Sequence, residues 1–441
     1  MPVLEEKIKD FARKQGVQLV GIAGPDRLDG PPSLDPTYIM PGAKSVVMMA
    51  MPMDVKAIYD FLSKKSPTPH NIDQKRMDQV MYWTGKRVED FIISLGHRAK
   101  VVPTNGDYRR SPDIFATHPS FSFRFGAIAA GIAAQGWSGN VMTKEYGAAI
   151  YLSAVVTDAA LKSDPAMPPR YFIDGYCSKC RICDKTCPVR MFKEKDEEYV
   201  LINGELHPRG KRRNIDLCNI SCFGLHGLSL DKKWTSWGKY WIEDWVDKEP
   251  EPDQKIKTRL QMMFKGQETG TSYLRYELIR KMAAICWPEE YYQMLPAADK
   301  MPDDEEELLR LQKAYSNRLG VEGLDDYNVL TCGQCALVCG PTIDESANRF
   351  HMLTESGLVV PGPDGKMVRV DTFEQAQEIR RKYPYKPSIG QRVKDNILAS
   401  WQWPSLYGGV QPKSVYQGII YDRKLQKAVK DKIKGYKPSG A

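Results

Sequence analysis

The sequence predicts an α+β protein in which a layered N-terminal domain precedes a cysteine-rich domain that a large insertion interrupts. Two observations predict this class. Helical and strand-like hydrophobic patterns alternate over residues 1–165, as expected of a domain that packs helices on a sheet. Two tight cysteine groups follow, at 177–187 and 332–339, and a long stretch of chain separates them.

The first elements follow from hydrophobic spacing. Residues 4–14 predict a helix because their apolar side chains recur on one helical face. Residues 18–23 and 45–51 are short apolar runs, which predict buried strands. Residues 24–42, between these strands, are rich in Pro, Gly and Asp and predict a loop.

The alternation continues through the rest of the N-terminal domain. A helical pattern covers residues 72–95, and Gly96 is predicted as the glycine that follows the helix C-terminus. Residues 101–102 begin another strand. The small-residue stretch at 125–134 predicts a tightly packed helix, and the apolar run at 150–156 predicts a strand.

Patterns further along the chain divide it into four parts. These are a layer domain (1–165), a cysteine-rich domain (166–230 and 316–345), an aromatic and acidic insertion (231–315) and a C-terminal extension (346–441). A strand is predicted at 199–202 and a helix at 372–382. The acidic run 303–307 predicts a solvated helix start, and the basic stretch 424–437 predicts a solvated surface.

The tryptophans of the insertion have three interpretations. They are Trp234, Trp237, Trp241, Trp245 and Trp287. Buried core is the simplest interpretation, and closure of a pocket or a subunit interface are the alternatives for the stretch 234–245. The sequence therefore leaves open whether the protein forms a homodimer.

Composition excludes several classes of protein. Apolar residues make up 42% and charged residues 27%, so wholesale disorder is excluded. The net charge of +8 is mild, and both signs are interspersed, so a nucleic-acid partner is not indicated. The longest apolar stretch, Phe125–Ala134, is too short to span a membrane. The acidic start of the chain does not read as an export signal, so a cytoplasmic location is expected.

The first cysteine group has the spacing of a bacterial ferredoxin. Its four cysteines follow the pattern C-x2-C-x2-C-x3-C-P and are Cys177, Cys180, Cys183 and Cys187, with Pro188 after them. Three thiolates on one tight loop reach three irons of a [4Fe–4S] cluster, and the fourth ligates another cluster. A structural zinc site usually divides its ligands into two separated pairs. The pattern predicts two [4Fe–4S] clusters.

The second cysteine group lacks one ligand of a complete run. Its members are Cys332, Cys335 and Cys339. In two-cluster ferredoxins, the last cysteine of each run ligates the cluster of the other run. On this pattern, the ligands of one cluster would be Cys177, Cys180, Cys183 and Cys339. The ligands of the other would be Cys187, Cys332, Cys335 and either Cys218 or Cys222. The sequence does not choose between Cys218 and Cys222. Cys286 is isolated, and a small buried side chain is its default interpretation.

Three stretches resemble the cobalamin-dependent iron–sulfur reductases, which include reductive dehalogenases and epoxyqueuosine reductases. Residues 136–140 (GWSGN) resemble the G-W-x-G-[KN] loop of epoxyqueuosine reductases. Residues 143–147 (TKEYG), with Thr157-Asp158 after them, resemble the T-P-E-[YF]-G…T-D segment of dehalogenases. Residues 41–47 (PGAKSVV) resemble the early strand of the family. The resemblance covers residues 4–225 and 330–342.

The resemblance implies a fold and a cofactor. The fold would be a nitroreductase-like domain that binds a corrinoid, beside a ferredoxin-like two-cluster domain. The corrinoid would be base-off, without a histidine ligand from the protein. The residues implied at the corrinoid are Gly136, Trp137, Ser138, Gly139, Asn140, Thr143, Tyr146 and Gly147, and their glycines would allow close backbone approach to the ring.

The sequence offers two candidates for the proton donor of the reaction, Tyr82 and His118. In the dehalogenases a tyrosine, helped by a basic residue, donates the proton, and Tyr82 takes that place here, with core packing as the alternative. The basic candidates are Arg109, Arg110, Arg124 and Lys144. Epoxyqueuosine reductases use an aspartate before a proline, but Ala116 stands at that place, and His118 is a substitute acid or an ordinary loop histidine.

The resemblance therefore implies a cytoplasmic oxidoreductase. It would take electrons from an external ferredoxin or flavodoxin through two [4Fe–4S] clusters to cobalt, and cleave a carbon–heteroatom bond, carbon–halogen by preference, in a small organic substrate. The alternatives are an electron-transfer or cobalamin-handling protein without its own organic substrate, and an epoxyqueuosine reductase-like enzyme, against which the missing aspartate argues.

Overall fold

A computed structural model describes residues 3–103, 108–109, 118–213, 218, 221, 226–238, 240–241, 333–363, 367–384, 427 and 431. The described helices are α1 (Leu4–Lys14), α2 (Val55–Leu62), α3 (Thr68–Ser94), α4 (Phe123–Ala129), α5 (Ser178–Cys180), α6 (Ile182–Lys185), α7 (Gln334–Leu337), α8 (Ile343–Thr354) and α9 (Phe373–Lys382). Among these helices, none is both long and apolar enough to cross a membrane.

The described strands form one sheet of four strands and several two-stranded pairs. They are β1 (Leu19–Ala23), β2 (Ser45–Pro52), β3 (Ala99–Val101), β4 (Tyr108–Arg109), β5 (His118–Pro119), β6 (Ala134–Gln135), β7 (Val141–Met142), β8 (Ile150–Thr157), β9 (Phe192–Ile202), β10 (Glu205–Arg212), β11 (Leu358–Pro361) and β12 (Met367–Val370). The sheet has the order β1-β2-β8-β3, and every neighbouring pair in it is antiparallel.

Helices cover both faces of this sheet. Alternate residues of β2 point to opposite faces, so Val47 and Met49 join the core under α1 and α3. Val46 and Met48 join the core under α4. Because both faces are buried, β2 is an unbroken apolar run rather than an alternating one. The mixed helix and strand layers predicted for the N-terminal part are confirmed.

Most predicted elements are present, with shifted ends. Helix α1 has the predicted bounds, and Gly96 follows α3 with a positive φ of 91°. The helix predicted at 125–134 is wrong at its end, because α4 stops at Ala129 and the chain turns at Gly131, where φ is 74°. An added Cβ on Gly131 would lie 2.1 Å from the carbonyl oxygen of Pro165, so the turn needs glycine.

Helix α2 was not predicted, although it joins the N-terminal domain to the cysteine-rich part. Asp54 caps its N-terminus, accepting a hydrogen bond of 2.9 Å from the backbone N–H of Ala57. The buried side chains of Ile58, Phe61 and Leu62 pack in one cluster with residues that follow both cysteine groups. The apolar spacing of i, i+3 and i+4 was the available signal.

The cysteine-rich part begins with a π-helical turn, Ile173–Cys177, followed by α5, α6 and the antiparallel hairpin β9–β10. The strand predicted at 199–202 is the end of β9. Segment 333–346 then returns to this region through α7 and the start of α8. A domain boundary at residue 345 would fall inside α8.

Three tryptophans lie in the described start of the insertion. Trp234 and Trp237 are buried, and the Trp237 indole N–H donates a 2.9 Å hydrogen bond to the carbonyl oxygen of Phe61. Trp241 stacks on Phe373 with ring centroids 5.7 Å apart. Core packing is therefore confirmed for Trp234 and Trp237. The predictions for 303–307, for Trp245 and Trp287, and for most of 424–437 lie outside the described residues.

Lys64 attaches the chain after α8 to α2. Its ammonium donates hydrogen bonds of 3.2 Å to the Leu62 carbonyl, 3.0 Å to the Leu353 carbonyl and 2.6 Å to the Ser356 hydroxyl. The side chain is buried, and burial, together with the charge of Arg369, lowers its pKa to about 7.

This burial predicts a pH dependence of stability. The unfolded chain keeps the usual lysine pKa of 10.5, so it binds more protons than the folded chain between about pH 7 and that value. The contribution of Lys64 to the free energy of unfolding should therefore rise with pH in this window, by up to about 1.4 kcal/mol per pH unit. We expect Lys64→Met to remove this rise in urea unfolding at pH 7.5 and 9.5.

The matched control is Lys65→Met, because Lys65 is the next residue and its side chain is 70% exposed. It should leave the pH dependence as in the unsubstituted protein. An equal slope in the Lys64→Met variant would contradict the assigned titration.

Candidate functional site

Four cysteines from two distant parts of the chain line one cavity. They are Cys177, Cys180, Cys183 and Cys339. The wall of the cavity also includes Trp137, Tyr176 and Arg181. We refer to it as the four-cysteine cavity. These are the four cysteines that ferredoxin spacing groups together when one ligand is exchanged between runs.

Local backbone geometry presents the first three cysteines. Cys177 ends the π-helical turn, and Cys180 ends the short helix α5. Arg181 then adopts the left-handed conformation, with φ of 53°, before α6 begins. A non-glycine residue in this region is uncommon, and such residues concentrate at functional sites. The turn keeps Cys180 and Cys183 on the same cavity.

The fourth cysteine reaches the cavity by backbone packing. The N–H of Ala148 donates a 3.0 Å hydrogen bond to the Cys339 carbonyl. Gly147, with φ of 62°, lies so close that an added Cβ would be 2.3 Å from the Gly340 oxygen and 2.5 Å from the Cys339 oxygen. A side chain at position 147 would therefore push Cys339 away from the other three cysteines.

Tyr176 connects the two cysteine segments through its hydroxyl group. This oxygen lies 3.0 Å from the Gly340 carbonyl, 2.7 Å from the Thr342 carbonyl and 2.7 Å from the Ser346 hydroxyl. The Ser346 oxygen in turn accepts a 2.8 Å hydrogen bond from the Gly340 N–H. The residue before Cys177 thus holds the turn that follows Cys339.

Burial disfavours the ionised form of these thiols. It raises the pKa of Cys177 to about 11, although a 3.4 Å hydrogen bond from the Trp137 N–H opposes the shift. Burial also raises the pKa values of Cys180, Cys183 and Cys339, and neighbouring thiolates add to the effect for Cys183 and Cys339. Four thiolates at this site need a positive partner such as iron.

The described residues contain no group of three or more His, Cys, Asp or Glu side chains close enough to bind a single metal ion. The four cysteines instead surround a space. A single zinc ion draws its four ligands to one point. A [4Fe–4S] cluster takes one thiolate per iron, so its ligands surround a larger body. Which of the two centres the four cysteines would hold stays a prediction from their spacing.

The loop 136–140 forms part of the cavity wall. Trp137 and Ser138 line it, and the Asn140 amide donates a 3.3 Å hydrogen bond to the Cys335 sulfur. An added Cβ on Gly136 would lie 2.8 Å from the Met142 sulfur, and one on Gly139 would lie 2.0 Å from an Arg212 nitrogen. These glycines therefore make close contacts with protein atoms, and their role at a corrinoid stays a prediction.

Thr143 and Tyr146 shape the turn that leads to Gly147. The Thr143 hydroxyl accepts a 3.1 Å hydrogen bond from the Tyr146 N–H, and Thr143 pairs with Gly147 through two backbone hydrogen bonds of 2.9 and 3.1 Å. This tight turn places Gly147, which has no side chain, against the backbone of Cys339. For Thr143 and Tyr146, as for the glycines, corrinoid binding remains a prediction.

The second predicted ligand set is described only in part. Cys187 accepts a 3.3 Å hydrogen bond from the Met191 N–H, and Cys335 accepts the one from Asn140. Cys218 is described and half-buried. Cys222 and Cys332 lie outside the described residues, so the choice between Cys218 and Cys222 stays open.

Neither of the two candidate proton donors is among the described residues that line the four-cysteine cavity. Tyr82, on α3, is 5% exposed and packs in the apolar core against the sheet, edge-on to Trp83 with ring centroids 5.5 Å apart. The described residues that line the four-cysteine cavity do not include it. His118 lies in β5, and its side chain is outside the described part, as is Ala116.

Two of the four basic candidates, Arg124 on α4 and Lys144, have described side chains, and both are exposed. Arg124 is exposed and donates a 3.4 Å hydrogen bond to the Gly139 carbonyl, and Lys144 lies 5.0 Å from the centre of the Tyr171 ring. The side chains of Arg109 and Arg110 lie outside the described part.

Sequence reasoning missed the residues that organise the cavity. Tyr176 and Arg181 lie next to cysteines, which was the one available signal. Their roles depend on partners far along the chain, namely Ser346 for Tyr176 and Trp137 for Arg181, whose guanidinium lies 3.6 Å from the centre of the indole ring. No local pattern encodes such pairings.

Comparisons with known proteins returned only weak structural likenesses. No protein-family model and no curated protein matches the chain. A catabolic reductive dehalogenase is 13% identical, with a TM-score of 0.37, over 63% of this chain and 36% of that one. An epoxyqueuosine reductase from Bacillus subtilis is 15% identical, with a TM-score of 0.37, over 97% and 98%. One from Streptococcus thermophilus is 13% identical, with a TM-score of 0.33, over 90% and 99%.

These are the two kinds of enzyme that the sequence motifs resemble. The chain spans 36% of the length of the dehalogenase. Structural likenesses this weak do not indicate a function, so the proposed function depends on the residues of this chain.

The Tyr176 hydroxyl should stabilise the junction of the two cysteine segments. We expect Tyr176→Phe to lower the free energy of unfolding by about 1–2 kcal/mol, because it removes the hydroxyl that lies within hydrogen-bond distance of the Gly340 carbonyl, the Thr342 carbonyl and the Ser346 hydroxyl. Hydrogen exchange of the backbone amides at 334–346 should become faster. Tyr171→Phe is the control, because Tyr171 is 42% exposed. Unchanged exchange in the Tyr176→Phe variant would show that the hydroxyl does not hold the turn.

Proposed function

We propose that this protein is an iron–sulfur oxidoreductase that binds a [4Fe–4S] cluster in the four-cysteine cavity. One observation carries the proposal: Cys177, Cys180, Cys183 and Cys339 line one cavity although a long insertion separates the last from the others. A second [4Fe–4S] cluster would use Cys187, Cys332 and Cys335 with Cys218 or Cys222. Such clusters accept and release single electrons at potentials that the protein sets.

The chain's own residues prepare the cavity for this role. The Trp137 N–H donates to the Cys177 sulfur, and hydrogen bonds of this kind stabilise a reduced cluster. Apolar side chains of Met142, Ile182 and Val338 complete the wall and limit the entry of water. Asn140, which donates to Cys335, extends the same hydrogen bonding toward the second ligand set.

We further propose that the protein is a cobalamin-dependent reductase, dehalogenase-like in its reaction. The support is the resemblance of residues 136–140 and 143–147 together with the ferredoxin spacing. The corrinoid would supply the low-potential chemistry that cleaves a carbon–heteroatom bond, and an external ferredoxin or flavodoxin would supply the electrons. The described contacts of Gly136, Gly139 and Gly147 are with protein atoms, so we derive no reaction step through a corrinoid.

A second candidate is an electron-transfer or cobalamin-handling protein that has no organic substrate of its own. The burial of Tyr82 in the apolar core favours it, because a proton donor has to reach the reacting group. Tyr82 and His118 remain the proposed acids of the reductase.

Iron content tests the cluster proposal. Protein purified without oxygen should hold about eight irons per chain, four for each cluster. Cys339→Ala removes one ligand of the four-cysteine cavity, so we expect a loss of roughly half of the iron and of its absorption. The control is Cys286→Ala, which should keep the full content. Full iron in the Cys339→Ala variant would remove Cys339 from the ligand set.

Corrinoid binding tests the choice between reductase and plain electron carrier. Hydroxocobalamin added without oxygen should remain bound through gel filtration, and its absorption spectrum should be that of a base-off corrinoid. Iron content measured on the same fractions shows whether the protein is intact. Iron-loaded protein that releases all the cobalamin would reduce the proposal to a ferredoxin-like electron carrier.

A further inference from the structure

Among the described residues that line the four-cysteine cavity, Arg181 alone carries a charged side chain. It lies in the sequence between Cys180 and Cys183. Its side chain is 25% exposed, so water screens its charge only in part. A fixed cation in this wall acts directly on whatever charge the cavity holds.

Two contacts fix the position of this charge. The guanidinium stacks on the Trp137 indole, 3.6 Å from the ring centre. Its Nε donates a 2.7 Å hydrogen bond to Asp184 Oδ2. Because the backbone N–H of Trp137 also donates to the Cys177 sulfur, the residue that supports the cation is itself bound to a ligand of the cavity.

Asp184 places the opposite charge at the same site. Its Oδ1 lies 3.8 Å from the Cys183 sulfur, and its side chain is 22% exposed. Arg181 and Asp184 therefore form an ion pair in which Arg181 lines the cavity and Asp184 lies beside a cysteine sulfur. Removing one member leaves the other charge uncompensated beside the cavity.

The effect of such charges on a cluster has a definite sign. Reduction adds one negative charge, so a nearby cation stabilises the reduced form and raises the reduction potential, and a nearby anion lowers it. We propose that Arg181 is a redox-tuning residue: its guanidinium, held on Trp137, raises the potential of the cluster in the four-cysteine cavity. The inference rests on the proposed function, because it requires that cluster.

The test is a redox titration of the anaerobic protein followed by electron paramagnetic resonance. In the Arg181→Gln variant, one of the two midpoint potentials should become more negative by at least about 59 mV. For a one-electron couple, this shift corresponds to a tenfold change in the equilibrium constant of reduction. Asp184→Asn should move the same potential in the opposite direction. Arg181→Lys, which keeps the charge, should retain most of the original value.

Lys179→Gln is the matched control. Lys179 lies beside Cys180 but is exposed and is not among the lining residues, so solvent should screen its charge. Its removal should leave both potentials in place. An equal shift in this variant would mean that any local charge acts alike, and would overturn the inference.

Two further results separate the inference from its premise. Unmoved potentials in Arg181→Gln or Asp184→Asn protein with full iron content would overturn the role of Arg181 and leave the cluster standing. Unsubstituted protein without any cluster signal would overturn the proposed function and the inference with it. If Arg181→Gln fails to load iron, the sign of the Asp184→Asn shift decides: a shift to less negative potential supports the charge pair, and any other result overturns it.

Discussion

The contact of Gly147 and Ala148 with the backbone of Cys339 and Gly340 is the constraint on which the candidate site depends. It brings the fourth cysteine to a cavity whose other three cysteines lie far earlier in the chain. A backbone-to-backbone approach needs a residue without a side chain and with positive φ, which is why the turn that starts at Thr143 ends in glycine. The Tyr176 hydroxyl also contacts this junction, at the Gly340 and Thr342 carbonyls.

The features that could be predicted from sequence are those that neighbouring residues determine. The spacing of apolar residues predicted α1 and β2, and the spacing of cysteines grouped the four that line the cavity. The end of α4 was predicted too late, because the turn at Gly131 depends on the close approach of Pro165. The antiparallel order of the sheet follows from pairings between distant strands, which local patterns do not contain.

The loop 136–140 shows what motif resemblance leaves out. The resemblance predicts a role at a corrinoid, which stays a prediction, and the described contacts of the loop include Cys177, Cys335 and Arg212. Sequence could mark these residues as unusual but could not say what they touch, because each partner comes from another segment. The same holds for α2, whose apolar face packs with elements beyond both cysteine groups.

The late position of Cys339 has a consequence for how the protein matures. During synthesis, Cys177, Cys180 and Cys183 leave the ribosome long before the residue that completes their cavity. Closing so long a loop costs conformational entropy, and ligand binding by the assembled cavity offsets part of that cost. Loading of the proposed [4Fe–4S] cluster and docking of the 333–346 segment would therefore be one coupled event, because a chain that ends before this segment carries only three of the four proposed ligands.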